Sequence, residues 1–330
     1  MLTVLITTYN RAQTLSRTLS AFCRIQGPRG GWKLVIVDNG STDATKEIIF
    51  SFMDRLPIAY FLELSRGKNT ALNTGLASVE GDLVVLTDDD VLPRFDWLKE
   101  MRLAADSHAS FSVFGGRVIP RWEIRPEEWI LSWVKLGPVF TCTDPSWEEG
   151  PLPPEYVFGC NMAIRTRVFE AGYRFNPDIG PRGNSYAMGS ETELTLRLAK
   201  AGINAWHCKQ AVVEHIVPKL HMTRAWILSR ALRFGRGQYR LRVQHESVSR
   251  KKNLGIPRYL IKEVVEQSLR VGYAKLRRDK AKLFEKRWIF NYLLGQMMEA
   301  RLIYKELRSS SAVQGLSSRT ERLANPMRND

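Results

Sequence analysis

Along the first hundred residues, short apolar β-branched runs alternate with stretches whose apolar positions recur at helical spacing. "TVLIT" (3–7) precedes an amphipathic stretch from Asn10 to Arg24. "KLVIVD" (33–38) precedes "STDATKEIIFSFM", a helix expected to take its cap from Ser41 and to carry Asp43 in its first turn. "IAYFLEL" (58–64) leads into a helix near 67–79, and "DLVVLT" (82–87) follows. Strands so continuously apolar are buried on both faces, which predicts a mostly parallel sheet with helices on either side. Each run ends in a polar loop: "TTYN", "DNGSTD", "SRGKN" and "DDD". Open α/β sheets bind ligands at the carboxyl ends of their strands, so these loops are expected to share one edge.

The pattern changes further on. Residues 120–155 are Pro-rich and hold Trp122, Trp129, Trp133 and Trp147. A strand is expected at "FGCNMAI" (158–164), a helix at 190–202 and a strand near "AVVEH" (211–215). The Gly/Pro/Asn-rich segment 176–189 is long enough to be a functional loop. From Ile256 the chain reads as amphipathic helix, with Leu260, Ile261, Val264, Val265, Ser268, Leu269, Val271 and Leu276 on its apolar side. Lys262, Arg270, Lys275, Arg277 and Arg278 lie mostly on the other side. From Ser309 the composition is Ser-rich and polar, which predicts a tail without regular structure.

Charge sharpens these divisions. The net charge is +15, but residues 1–218 carry −2 and residues 219–330 carry +17. The expected organisation is therefore a domain at 1–218 (halves 1–105 and 106–218), a basic helical region at 219–308 and a tail at 309–330. Cys23, Cys142, Cys160 and Cys208 lack metal-type spacing and read as reduced core thiols of a cytoplasmic protein. "MLTVLITTYN" lacks the basic start and cleavage site of a signal peptide, and no apolar run is long enough to span a membrane.

"LTDDDVLP" (86–93) raises the chemical question, because it sets Asp88, Asp89 and Asp90 where a core strand surfaces. Two unit charges about 5 Å apart repel by about 3 kcal/mol at an effective dielectric of about 20. A protein cation, a metal ion or plain hydration has to offset that.

Six segments in this order resemble glycosyltransferase family 2, over about residues 2–217: "VLITTYNR", "LVIVDNGSTDAT", "RGKNTALNTGLASVEGDLVVLTDDDVLP", "VFGCNMAIRTRVFE", "GSETELTLRLAKAG" and "AVVEH". The resemblance implies a GT-A fold, Rossmann-like, and an inverting transferase using a nucleotide sugar, a UDP-sugar first. It places Thr7, Tyr9 and Asp38 at the base, and Lys68, Asn69, Asn73, Asp88 and Asp89 at the rest of the donor. Asp90 and His215 become ligands of Mg²⁺ or Mn²⁺, and Glu191 the general base. Here the chain departs from the family's usual Glu-Asp pair: Ser190 stands before Glu191. Glu193 and Arg197 read as a structural pair. Trp122, Trp129 and Trp147 are candidates for stacking on a glycan or lipid-linked acceptor.

The processive members' QxxRW is only echoed by "GQYRLR" (237–242), so one sugar per encounter is expected. The basic region 219–308 suits an anionic membrane surface on its cytoplasmic side or a solvated helical bundle; no nucleic-acid recognition motif accompanies it. A nucleotidyltransferase is the alternative enzyme, though "TTYNRAQT" lacks a Gly-rich phosphate loop, and a binding module acting through the basic region is the alternative without catalysis.

Overall fold

A computed structural model describes residues 1–181, 183, 186–245, 252, 253 and 255–323. The chain forms two compact units, Met1–Ile227 and Leu228–Asp330.

The first unit opens with β1 (Leu2–Thr8), α1 (Ala12–Phe22), β2 (Trp32–Asp38), α2 (Thr45–Phe50), β3 (Ile58–Leu62), α3 (Lys68–Leu76) and β4 (Leu83–Thr87). Strands β3, β2, β1 and β4 are all parallel, in that order. Their register pairs Thr8 with Asp38 and Ile6 with Thr87, so the polar loops emerge along one edge. Ser41 does not cap α2. Its hydroxyl accepts the Asn10 backbone N–H at 2.9 Å, while Asp43 takes the Thr45 N–H at 3.1 Å.

The second half of the unit is mixed rather than parallel. It contains β5 (Val91–Pro93), α4 (Trp97–Ser107), β6 (Val113–Trp122), α5 (Glu128–Trp133), α6 (Leu136–Phe140), β7 (Gly150–Leu152), β8 (Asn161–Arg165), α7 (Thr166–Glu170), α8 (Ser190–Lys200) and β9 (Ala205–Val217). The sheet runs β3-β2-β1-β4-β8-β6-β9-β5, with β7 also on β9. Strand β8 is antiparallel to both β4 and β6, while β9 is parallel to β6. Strand β5 follows the three aspartates at once and pairs with β9, setting Val91 opposite His215. That pairing carries His215 back to the acidic turn.

Alternation along the central strands divides the core into two layers. Leu2, Val4, Ile6, Leu34, Ile36 and Val85 face Leu15, Leu19 and Phe22 of α1 and Trp97 and Met101 of α4. Leu5, Val35, Val37, Val84 and Leu86 face α3, α7 and α8. Both faces being apolar, a one-residue slip of β1 would still bury apolar side chains, and the pattern alone specifies register weakly. Thr3 supplies the missing constraint: its hydroxyl donates to the Glu80 carbonyl at 2.7 Å and accepts the Glu80 N–H at 2.9 Å. Helix α3 lies tight on the sheet, since a Cβ on Gly75 would stand 2.3 Å from Leu5 Cδ1.

The second unit continues α9 (Arg224–His245), then forms a small hairpin, β10 (Lys252–Asn253) with β11 (Ile256–Pro257), and helices α10 (Arg258–Leu276) and α11 (Lys280–Leu323). Helix α11 thus carries the chain to Leu323, past Ser309 where a segment without regular structure was expected; residues 324–330 lie outside those described. Helices α9 and α11 meet backbone to backbone: a Cβ at Gly235 would lie 1.9 Å from the Tyr292 carbonyl, and one at Gly295 2.0 Å from that of Leu232. Beside this crossing, fully buried Glu299 accepts from Arg236 Nε at 2.8 Å and Arg240 Nε at 2.5 Å. On α10 only Leu260, Gln267 and Ala274 are buried. Val265, Leu269 and Leu276, expected on its covered side, are exposed. Among the described residues no helix is long and apolar enough to cross a membrane.

Candidate active site

The three aspartates resolve their repulsion by going three ways. Asp88 accepts from Lys68 Nζ at 2.7 Å. Asp89 turns inward, buried, taking the Thr8 hydroxyl at 2.7 Å, while Thr18 donates to its backbone carbonyl at 2.9 Å. Burial first, and the neighbouring Asp90 charge second, push the Asp89 carboxyl up to about 7. These contacts hold the turn. Asp90 sits with Oδ1 3.5 Å from His215 Nε2. Burial pushes the Asp90 carboxyl up, but His215, with Arg11 and Lys68 behind it, outweighs that and holds it down at about 2.

Lys68, at the start of α3, is the centre of the site. Its ammonium reaches Asp88 on one side and Glu191 Oε1, at 2.8 Å, on the other. Burial opposes the charge on Lys68, yet the two carboxylates hold its proton well above the ordinary lysine range. Burial likewise works against the charge on Glu191, and Lys68 reverses it, keeping Glu191 below the ordinary carboxylate range. Glu191 lies in the first turn of α8 after Gly189, whose φ of 109° is left-handed. Gly159 makes room for it, because a Cβ there would stand 2.3 Å from Glu191 Cγ. Cys160 next to it is a buried thiol, pushed up by burial and by Asp88.

His215 is oriented by its other nitrogen, Nδ1, 2.8 Å from the Phe140 carbonyl. With Nδ1 directed at that carbonyl, Nε2 faces Asp90. Asp90 Oδ1 is itself buried and without a hydrogen-bond partner. An oxygen and a nitrogen lone pair facing each other are stabilised by a proton or a cation between them. Burial lowers the affinity of His215 for a proton, and Asp90 outweighs that and raises it.

At the base end, the β1 and β2 loops are stapled together, the Thr42 N–H donating to Asn10 Oδ1 at 2.7 Å. Asp38 is buried; Oδ1 accepts the Ser41 N–H at 2.8 Å, and Oδ2 accepts the Tyr60 hydroxyl at 3.4 Å. Thr7 is half-buried at the end of β1. Tyr9 is exposed, with the Arg66 guanidinium 4.0 Å over its ring. Asn39, unremarked in the sequence, shapes this corner: its amide donates to the carbonyls of Glu63 and Ser65 and accepts the Gly67 N–H.

Asn69 and Asn73 do share a face of α3, but that face grips protein. Asn69 Nδ2 donates to the carbonyls of Asn176 (2.7 Å) and Ile179 (2.9 Å). Asn73 exchanges two bonds with the backbone of Phe175. The start of the 176–189 loop is thereby tied to α3. Nor do the tryptophans form one platform. Trp122 packs edge-on to Phe140 at 5.2 Å, Trp129 neighbours Trp133 under Arg224, and Trp147 lies against Tyr156 and His207. Glu193 and Arg197 form the expected pair, at 2.6 and 2.9 Å. Of the cysteines, Cys23 is exposed and the other three are buried.

A parallel nucleotide-type half, a mixed second half and an acidic turn at their junction define a glycosyltransferase of GT-A fold. Solved structures agree: the mannosyltransferase PcManGT from Pyrobaculum calidifontis, in complex with GDP-Man and Mn²⁺, is similar with a TM-score of 0.53 at 20% identity, over 98% of this chain and 79% of that one. S. aureus TarS is similar with a TM-score of 0.50 at 14% identity over 89% of this chain, which spans 54% of the TarS chain. The glycosyl transferase family 2 model matches residues 3–171, more than half of the sequence, and the chain belongs to that family. Relatives include glycosyltransferase AglE of Haloferax volcanii, 27% identical over 243 residues (71% of this chain, 72% of AglE). The succinoglycan biosynthesis protein ExoM of Rhizobium meliloti is 25% identical over 246 residues (72% of this chain, 73% of ExoM). The protein is therefore a glycosyltransferase enzyme, which displaces the nucleotidyltransferase and binding-module readings.

Proposed function

We propose that the enzyme moves one sugar per encounter from a nucleotide-sugar donor, a UDP-sugar, to a hydroxyl of a glycan or lipid-linked saccharide, with inversion at the anomeric carbon. The observation that carries this reading is Lys68 joining Asp88 and Glu191 beside the Asp90–His215 pair. Glu191 takes the acceptor hydroxyl proton as that oxygen bonds to the anomeric carbon, whose bond to the donor phosphate oxygen breaks; the nucleoside diphosphate leaves with the electron pair. Lys68 is drawn toward the donor diphosphate, and Glu191, still buried but released from its cation, becomes the stronger base. Asp88 then faces the ribose or donor sugar. Asp38 keeps Oδ2 for an N–H of the base, with Thr7 and Tyr9 alongside.

Asp90 and His215 fit Mg²⁺ or Mn²⁺, since they offer an unpartnered buried oxygen and an oriented imidazole nitrogen. Among the described residues no cluster of three or more His, Cys, Asp or Glu side chains suits a metal; Asp90 and His215 would hold the ion together with the donor diphosphate and water. When bound, the metal neutralises charge on the leaving diphosphate. The Mn²⁺ and GDP-Man of the Pyrobaculum relative support this class of donor, and ExoM supports a polysaccharide product. Where the acceptor is lipid-linked, the basic carboxy-terminal region brings the enzyme to an anionic membrane surface on its cytoplasmic side.

Thermal unfolding with UDP, GDP, dTDP and their sugar conjugates, each with Mn²⁺ or chelator, tests the donor site. A ligand at about 100 times its Kd adds about 2.7 kcal/mol, a shift of several degrees. The expected result is a shift with uridine nucleotides that chelator removes. Glu191→Gln is expected to keep that shift and to lose transfer by at least about 10²-fold; normal transfer in this variant would refute the base assignment.

A further inference from the structure

Helix α10 turns two apolar faces outward from its axis, and only one is used. Its seam of Leu260, Gln267 and Ala274 packs within the second unit, Gln267 Nε2 donating to the Lys286 carbonyl at 2.9 Å. A second stripe, Val265 (55% exposed), Leu269 (70%), Tyr273 (64%) and Leu276 (82%), runs along the outside. The spacing i, i+4, i+8, i+11 keeps all four on one face. Single exposed apolar residues need no explanation, but a continuous stripe does.

Beside the stripe a groove of about 550 Å³ lies between α10 and the start of α11. Leu269 and Tyr273 form its apolar wall, and Arg270, Arg277, Lys282 and Lys286 its cations, with Asp279 as the one lining carboxylate. The other carboxylates nearby engage these cations loosely or from outside: Glu266 is 3.9 Å from Arg270 and Glu285 2.9 Å from Lys286, while Asp279 is 3.7 Å from Lys282. Pairs this exposed are weak and yield readily to a stronger anion. Residues 258–287 hold ten Lys and Arg against four Asp and Glu, a net of +6.

We propose that this face of α10 and the adjoining groove are the surface by which the enzyme docks on an anionic phospholipid bilayer. The stripe enters the boundary between headgroups and acyl chains, and the groove receives lipid phosphates. Docking here rests on the membrane-surface reading of the basic region and is independent of the donor and base assignments. Charge selects this occupant. A second copy would set one strongly positive face against another, and a nucleic acid would leave the aliphatic stripe exposed to water.

The test is flotation of the full-length protein with vesicles of phosphatidylcholine, with and without phosphatidylglycerol. Binding is expected only with phosphatidylglycerol and is released by raised salt. The double variants Leu269→Asp/Leu276→Asp and Arg277→Glu/Lys282→Glu are each expected to bind about tenfold more weakly or worse. The surface is wrongly assigned if wild-type protein ignores phosphatidylglycerol, binds both vesicles alike, or floats as well after either double substitution. A dimer in mass photometry that Leu269→Asp/Leu276→Asp dissociates would overturn it in favour of a second copy. So would an oligonucleotide bound more tightly than the vesicles through the same cations. Wild-type hydrogen-exchange protection across residues 228–308 shows that the variants keep the second unit folded. The nucleotide- and Mn²⁺-dependent thermal shift separates the two readings: its absence from wild type sinks the donor reading while leaving flotation to decide this one.

Discussion

At the scale of single residues, the site depends on where each charge finds its counter-charge. Lys68 serves two carboxylates at once, at 2.7 and 2.8 Å. In Lys68→Met both half-buried carboxylates lose their cation, so the Glu191 carboxyl rises. The acid limb of the pH profile of kcat/KM is then expected to move to higher pH, with KM for the donor increased; an unmoved limb would separate Lys68 from the base. Gly159 is the other single-residue lever. Its substitution by alanine places a methyl group 2.3 Å from Glu191 Cγ, which a flexible side chain relieves by moving away. Gly159→Ala is expected to lower kcat about 10²-fold with the melting temperature nearly unchanged, since a displacement of about 1 Å costs that much. The three aspartates were legible as a charge problem, and resemblance gave Lys68 to the donor, Asp90 and His215 to a metal and Glu191 to the base, without the ion pairs among them. That Asp89 turns away to Thr8 was not, because three identical side chains in a row differ only in the direction each leaves the turn.

At the scale of elements, α3 shows why a helix face read from sequence is ambiguous. Asn69 and Asn73 fall at i and i+4, and the spacing is the same whether their amides meet a ligand or a backbone. The backbone has them: Asn69 Nδ2 donates to the carbonyls of Asn176 and Ile179. Asn69→Ala removes the donor from the buried Ile179 carbonyl and one of two from that of half-buried Asn176, and is expected to destabilise the first unit by about 1–3 kcal/mol, read by urea unfolding. A loss of nucleotide binding with unchanged stability would instead restore Asn69 to the donor site. Helix α10 carries the same lesson in apolar form. Its pattern announces an amphipathic helix correctly but cannot say which of two adjacent apolar stripes is covered, and Val265, Leu269 and Leu276 are not.

At the scale of the whole molecule, the chain combines a transferase unit with a helical one whose interior is partly ionic. Glu299, fully buried, holds Arg236 and Arg240. A buried pair broken on one side is expensive because the remaining charge has lost both water and partner. Glu299→Gln is expected to destabilise the second unit by about 3 kcal/mol. Faster hydrogen exchange across residues 228–308, with residues 1–227 unaffected, is the measurement that checks it.

The sequence by itself determined the alternation of apolar strands and helices in the first hundred residues, the shared polar edge, the charge boundary and the family. These are local periodicities and ordered short segments, which survive without coordinates. Only the tertiary structure decided that the second half of the sheet is mixed, since strand direction depends on pairing partners distant in the chain. Only it brought Lys68 to Glu191 across 123 positions, set His215 opposite Val91 beside the acidic turn, and joined Asn69 to the Ile179 carbonyl. Contacts of that kind depend on which strands and helices become neighbours, and no local pattern encodes them.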